Sequence, residues 1–207
     1  MRLIHHHFEW IESTNTWAKE NAHLLPPDAM IIVTADGQTA GRGQFKRPWS
    51  SPFKQNIYLS FCFFVDKNRS DLGNIPQVLA LSTISVLNQL GFTARLKWPN
   101  DLLVSQKKIA GILAETTMID DQLCFILGIG LNVNMPFDLL EKVGQPATSL
   151  LHENQLIKGE EVSLFDLQQI MEMLQEEFLK DYAVFNKEGF TPFLARYQTS
   201  ILAMDNK

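Results

Sequence analysis

Gln38-Thr39-Ala40-Gly41-Arg42-Gly43-Gln44-Phe45-Lys46-Arg47-Pro48-Trp49 follows an apolar run, residues 30–33, that reads as a strand. The stretch puts two glycines and three cations into one loop and closes on Pro-Trp. Glycine lets a backbone pass close to a ligand. Arginine and lysine beside such a backbone suit a carboxylate or a phosphate. A solvated loop with a basic cluster has the same composition. Two phosphate patterns do not apply. No stretch supplies G-x-x-x-x-G-K-[ST], and Lys46 stands where a dinucleotide fingerprint needs a third glycine after Gly41 and Gly43. Any nucleotide chemistry here uses another architecture.

On the N-terminal side, residues 2–11 read as a first strand. Ser13-Thr14-Asn15-Thr16 then opens a helix running to about residue 25, and Pro26-Pro27 stops it. These side chains cap the helix; the free N–H groups of its first turn also favour an anion. Residues 29–35 form a second strand that feeds the basic loop. Residues 55–65 form a third, too β-branched and aromatic for an exposed helix. Residues 74–90 carry apolar positions with a helical period and end at Gly91.

Residues 95–104 read as strand, a Pro99-Asn100-Asp101 kink and strand again, followed by a Ser105-Gln106-Lys107 turn. Residues 108–115 and 122–127 are further strands, the second entering a glycine-rich turn, Gly128-Ile129-Gly130-Leu131-Asn132. Neighbouring strands joined by tight turns predict an α+β fold, a mixed or antiparallel sheet flanked by helices. Residues 136–146 read as loop or short helix, and residues 147–151 lead to a turn near Gly159. Ser163 is the expected cap of a long amphipathic helix over residues 164–185, and a last short helix covers residues 191–199.

A chain of 207 residues is long enough for one domain with a substantial core. The net charge of -5 leaves no electrostatic footprint for bulk nucleic-acid binding. Cys62 and Cys124 each lie in an apolar run and read as buried thiols of a reducing compartment. No apolar run approaches the roughly 20 residues of a membrane span, and the N-terminus lacks the apolar core of a signal peptide. A soluble cytoplasmic protein with no membrane partner is expected. His5, His6 and His7 alternate in direction along a strand and have no cysteine near them in sequence, so no metal site is expected.

Polar clusters therefore stand at residues 13–16, 38–49, 97–108 and 128–134. Together they resemble the catalytic domain of the biotin protein ligases. That family carries S-T-N, Q-x-A-G-R-G, K-W-P-N-D, K-x-A-G-I-L-x-E and G-x-G-x-N. Here these stand as Ser13-Thr14-Asn15, Gln38-Thr39-Ala40-Gly41-Arg42-Gly43, Lys97-Trp98-Pro99-Asn100-Asp101, Lys108-Ile109-Ala110-Gly111-Ile112-Leu113-Ala114-Glu115 and Gly128-Ile129-Gly130-Leu131-Asn132. The order matches, and the resemblance spans roughly residues 5–200.

The resemblance implies one biotin/lipoate-ligase-type catalytic domain over residues 1–207 and a two-step reaction. Biotin and ATP, with Mg²⁺, give biotinyl-5′-adenylate and pyrophosphate. A lysine of a biotin carboxyl carrier protein, usually that of acetyl-CoA carboxylase, then attacks the mixed anhydride and AMP leaves. By the same resemblance, Arg42 and Lys108 are the cations that neutralise carboxylate and α-phosphate. Asp101 orients or deprotonates the incoming lysine, or only caps the turn after Pro99-Asn100. Ser13, Thr14, Asn15 and Gln38 would hold biotin, with Arg42 and Lys108 beside them. Gly41, Gly43 and Gly111 would admit close backbone approach, and Trp49 would exclude water from the anhydride. Arg42, Arg47, Lys108 and Asn132 would contact the nucleotide.

Many family members place an arginine where this chain has Gln44, which implies weaker retention of the adenylate unless Lys46 or Arg47 substitutes. A strand starting at residue 2 leaves no room for the N-terminal winged helix of some members, so no DNA partner is expected. A chain stopping at Lys207 is expected to lack the C-terminal β-barrel of many members. An exposed sheet edge would allow a homodimer. Two rivals remain: a lipoate or octanoate ligase or transferase of the same fold, and a non-catalytic biotin or adenylate sensor.

Overall fold

The computed structural model describes residues 1–159 and 161–202. The first eight residues of β3, Asn56–Val65, are all buried. A strand apolar on both faces must be covered on both faces, and β3 accordingly lies inside a seven-stranded sheet. The order is β1-β2-β3-β7-β6-β5-β4. The other strands are β1 Arg2–Ile11, β2 Ala29–Gln38, β4 Ala94–Lys97, β5 Asp101–Val104, β6 Lys107–Ile119 and β7 Gln122–Asn132. Only β1 and β2 are parallel; every other pair is antiparallel. The sheet is therefore mixed, as expected. β1 alternates between exposed and half-buried positions, which fits its place at one edge.

Helices cover the two faces unequally. Helix α1, Thr14–Glu20, sits on a small apolar cluster that includes Ala18, Ile31, Cys62 and Ile126. On the other face, α2 (Ile75–Gln89) and α5 (Leu167–Glu188) close a larger core. Phe178 of α5 is fully buried there, with ring centroids 4.4 Å from Phe61 and 5.7 Å from Tyr182. Cys62 and Cys124 are buried free thiols, their sulfurs 3.2 Å apart between β3 and β7.

Several boundaries differ from the sequence expectations. The first helix stops at Glu20, and a 3₁₀ turn, Ala22–Leu24, carries the chain to the prolines. The glycine-rich segment after residue 127 is no turn: β7 runs straight through Gly128 and Gly130 to Asn132. Ser163 does not cap the long helix. Asp166 does, its carboxylate accepting from the Gln168 and Gln169 N–H groups at 2.9 and 3.1 Å. Asn134 explains the delay: it donates to the Phe165 carbonyl at 2.8 Å and accepts from the Phe165 N–H at 2.9 Å. Those bonds hold residue 165 in place ahead of the first helical turn. Residues 137–140 form the short helix α3. Helix α4, Leu150–Lys158, stands where only a lead-in to a turn was expected, and Ser149 caps it through the His152 N–H at 3.1 Å. A 3₁₀ turn, Thr191–Phe193, and α6, Leu194–Ser200, end the described fold.

Truncating Phe178 to Ala is expected to lower the unfolding free energy by about 3–5 kcal/mol, because the cavity lies between closely packed aromatic rings. Urea titration of both proteins would measure it.

Candidate active site

The basic loop folds back on itself. The Gly43 N–H donates to the Arg47 carbonyl at 2.7 Å, and the Trp49 N–H to the Gly41 carbonyl at 2.8 Å. Phe45 at the tip has φ of 55° and is 87% exposed. This hairpin delivers Trp49 onto the sheet, where the glycines make room for it. A Cβ on Gly111 would come within 2.9 Å of the indole, and one on Gly130 would overlap it. A Cβ on Gly128 would overlap the Asn15 carboxamide in the same way. The G-x-G of β7 is therefore a floor for two side chains.

Asn15 is buried at the start of α1. Its Oδ1 accepts from Ser60 at 2.6 Å, and its Nδ2 donates to the Leu113 carbonyl at 3.2 Å. Ser13 caps α1 through the Thr16 N–H at 3.4 Å. The Thr14 N–H donates to Gln38 Oε1 at 2.9 Å, and Gln38 Nε2 donates to Ser51 at 2.9 Å. β6 alternates, so Gly111, Leu113 and Glu115 share one face.

Two of the cations lining the cleft, Lys108 and Arg42, each stand beside an acid. Lys108 Nζ lies 2.6 Å from Asp101 Oδ1 and 5.3 Å from the Trp49 ring. The Lys108 backbone is fixed too: its N–H donates to the Pro146 carbonyl, and its own carbonyl accepts from the Thr148 N–H. Arg42 donates to Glu115 through Nη1 at 3.4 Å and Nη2 at 2.7 Å. Glu115 also accepts from Asn15 Nδ2 at 3.2 Å and Lys19 Nζ at 3.4 Å. Burial pushes the Glu115 carboxyl up, but the Asn15 hydrogen bond and the Arg42 and Lys19 charges outweigh it and hold it below the ordinary carboxylate range. Trp49 Nε1 is buried against the Gly130 side of the glycine floor and has no hydrogen-bond partner among the described residues.

One cleft thus gathers most of the residues singled out in the sequence: Ser13, Thr14, Asn15 and Gln38 from the α1 side; Arg42, Gly43, Arg47 and Trp49 from the loop; Asp101, Lys108 and Gly111 from the hairpin. Gly41 lies under the loop, where a Cβ would meet the Trp49 carbonyl at 2.7 Å. Asn132 is set apart. It lines a smaller neighbouring cavity that shares Trp49 and Lys108, and its carboxamide donates to the Thr148 carbonyl at 3.0 Å and accepts from Asn56 at 3.4 Å. Gln44 also lines the main cleft. Asn100, Gln145, Ser60 and Glu115 were not singled out as site residues. Glu115 ends a quoted motif, and strand alternation from Gly111 was the signal that could have found it. Among the described residues, no group of three His, Cys, Asp or Glu side chains could hold a metal ion, and no helix is long and apolar enough to cross a membrane.

The sequence matches the Biotin/lipoate A/B protein ligase family over residues 7–132. The chain belongs to this family. It is 32% identical over 208 residues to the "Bifunctional ligase/repressor BirA" of Bacillus subtilis, covering 98% of this chain and 60% of that protein. It is 36% identical over 126 residues to the "Biotin--[acetyl-CoA-carboxylase] ligase" of Mycobacterium tuberculosis, covering 58% of this chain and 45% of that protein. The chain thus spans about 60% or less of these relatives' lengths. The solved biotin protein ligase from Aquifex aeolicus in complex with biotin and ATP superposes with a TM-score of 0.73 at 28% identity, covering 97% of this chain and 78% of that one. The ligase-family match includes the α1 start, the basic loop, Arg42, Lys108 and the glycine floor.

Gly130→Ala is expected to cost about 1–3 kcal/mol through overpacking against Trp49. Gly43→Ala should be near neutral, since its Cβ would meet only the Arg47 carbonyl at 3.5 Å; urea midpoints would compare the two. The lowered Glu115 carboxyl also fixes a pH sign. Its stabilisation is fully present above the unfolded value of about 4.3 and is lost as pH falls through the lower folded value. The stability difference between wild type and Glu115→Gln should therefore stay flat from about pH 8 to 5 and shrink below about pH 4.

Proposed function

We propose that this chain activates biotin with ATP and transfers it to a lysine of a biotin carboxyl carrier protein. The observation that carries the reading is a single cleft holding Arg42 and Lys108 around a tryptophan seated on a glycine floor. The Mycobacterium relative named as a biotin ligase, and the Aquifex enzyme in complex with biotin and ATP, support it.

In the first step, a biotin carboxylate oxygen attacks the α-phosphorus, and the bond to the β-phosphate bridging oxygen breaks. Two anions must meet, so catalysis requires cations at the junction. Arg42 offers a planar fork to carboxylate and phosphate oxygens, and Lys108 a point charge. Arg47 adds a third positive group at the cleft where the chain has Gln44 in place of an arginine. Mg²⁺ enters with ATP as part of the nucleotide substrate. Ser13, Thr14, Asn15 and Gln38 shape the biotin end, and Trp49 shields the anhydride from water. In the second step the acceptor amine attacks the biotinyl carbonyl and AMP leaves. Asp101, beside Lys108, takes up the proton or orients the amine. Asn132, with its carboxamide already bonded, supports the nucleotide end from behind.

On this reading residues 1–207 act as one catalytic domain in the cytoplasm, with a carrier domain such as that of acetyl-CoA carboxylase as partner. The free edge of β1 would admit a second copy of the chain.

Pyrophosphate release with Mg-ATP tests the reading, with biotin, lipoate and octanoate run in parallel. Biotin-dependent release is expected, falling at least about 100-fold in Arg42→Ala and in Lys108→Ala. Release with lipoate or octanoate instead would move the chain to the sister activity. Biotin binding with no release would favour the sensor.

A further inference from the structure

The acid beside Arg42 has no part in the reaction as written, yet it is firmly anchored beside the cleft. The Glu115 side chain is 17% exposed, against 39% for Arg42 and 43% for Lys19, so the acid is the fixed member of the cluster. A continuous line of hydrogen bonds fixes it. Ser60 of β3 holds Asn15, Asn15 also bonds the Leu113 carbonyl, and Asn15 Nδ2 reaches Glu115 Oε2. The Arg42 guanidinium rests on that carboxylate through Nη1 and Nη2.

An arginine fork has five N–H donors and cannot lose its charge in a protein. Two donors committed to Glu115 leave three for an incoming anion. The ion pair therefore need not break when substrate enters. Without the acid, Arg42 sits on a loop with a flexible side chain and a high rotamer entropy. Asp101 cannot replace Glu115, because it is engaged with Lys108.

We propose that Glu115 is the positioning residue for Arg42, holding the guanidinium at the cleft with its remaining donors free for the reacting carboxylate and phosphate. This assignment rests on the adenylation reading for its catalytic consequence, and on geometry alone for the orientation of Arg42. Lys19 reaches the same carboxylate from an exposed side chain, and its removal is expected to leave that orientation unchanged.

The test uses the full chain and two readouts. In biotin-dependent pyrophosphate release, Glu115→Gln should lower kcat/KM for ATP at least about tenfold, and Lys19→Ala should stay within about twofold of wild type. In an Arg42→Ala background, Glu115→Gln should cause no further loss, because its effect passes through Arg42. Circular dichroism confirms that each variant is folded. Independently of turnover, ¹⁵N relaxation of the Arg42 Nε–H should report a rigid side chain in wild type and Lys19→Ala, and a mobile one in Glu115→Gln. An Arg42 equally rigid in Glu115→Gln overturns the positioning role. So does faster turnover in Glu115→Gln, which would make the pair a lock, and so does an additive loss in the Arg42→Ala background. A wild type that releases no pyrophosphate with any acid overturns the adenylation reading alone, while the relaxation result still decides what Glu115 does to Arg42.

Discussion

Trp49 can lie against the sheet only because Gly111 and Gly130 have no side chain beneath it, and Asn15 is seated on Gly128 for the same reason. Close-packed interiors do not forgive an added methyl at such positions. From this one steric constraint the rest of the cleft follows. Seating Trp49 pins the C-terminal end of the basic loop, which brings Arg42, Gly43 and Arg47 over the sheet. Seating Asn15 pins the start of α1, which lets Ser60 bond Asn15 and lets the Thr14 N–H meet Gln38.

Charge then has to be managed. Cations converging on a half-buried cleft repel one another and lose hydration. The fold answers with acids of different character. Asp101 is a cleft residue directly on Lys108. Glu115 sits behind Arg42 and is tied to the framework through Asn15. On the proposed reading, one acid is available to the chemistry and the other holds a cation in place. The lowered Glu115 carboxyl is the electrostatic mark of the second arrangement.

Much of this was legible in the sequence, for identifiable reasons. β3 announced itself through a continuous apolar run, α2 through its period and Gly91, and the strand-kink-strand of residues 95–104 through Pro99-Asn100. The basic loop showed its glycines and cations directly. What was hidden depended on tertiary contact. Gly128 and Gly130 look like a turn locally, and only the side chains lying over them explain why a strand needs them. Ser163 is as good a cap as Asp166 by residue type; Asn134, 31 residues before Phe165, decides between them. That Asn56 and Thr148 hold the Asn132 carboxamide is likewise a tertiary fact that nothing local reveals.

On the proposed reading this cleft makes and holds a biotinyl adenylate. Native mass spectrometry of the protein after incubation with biotin and Mg-ATP, with no carrier present, addresses it most directly. A bound species with the mass of one biotinyl-5′-adenylate per chain is expected, absent in Lys108→Ala. Biotin and ATP seen bound side by side without conversion, or an adenylate formed only from lipoate or octanoate, would contradict it.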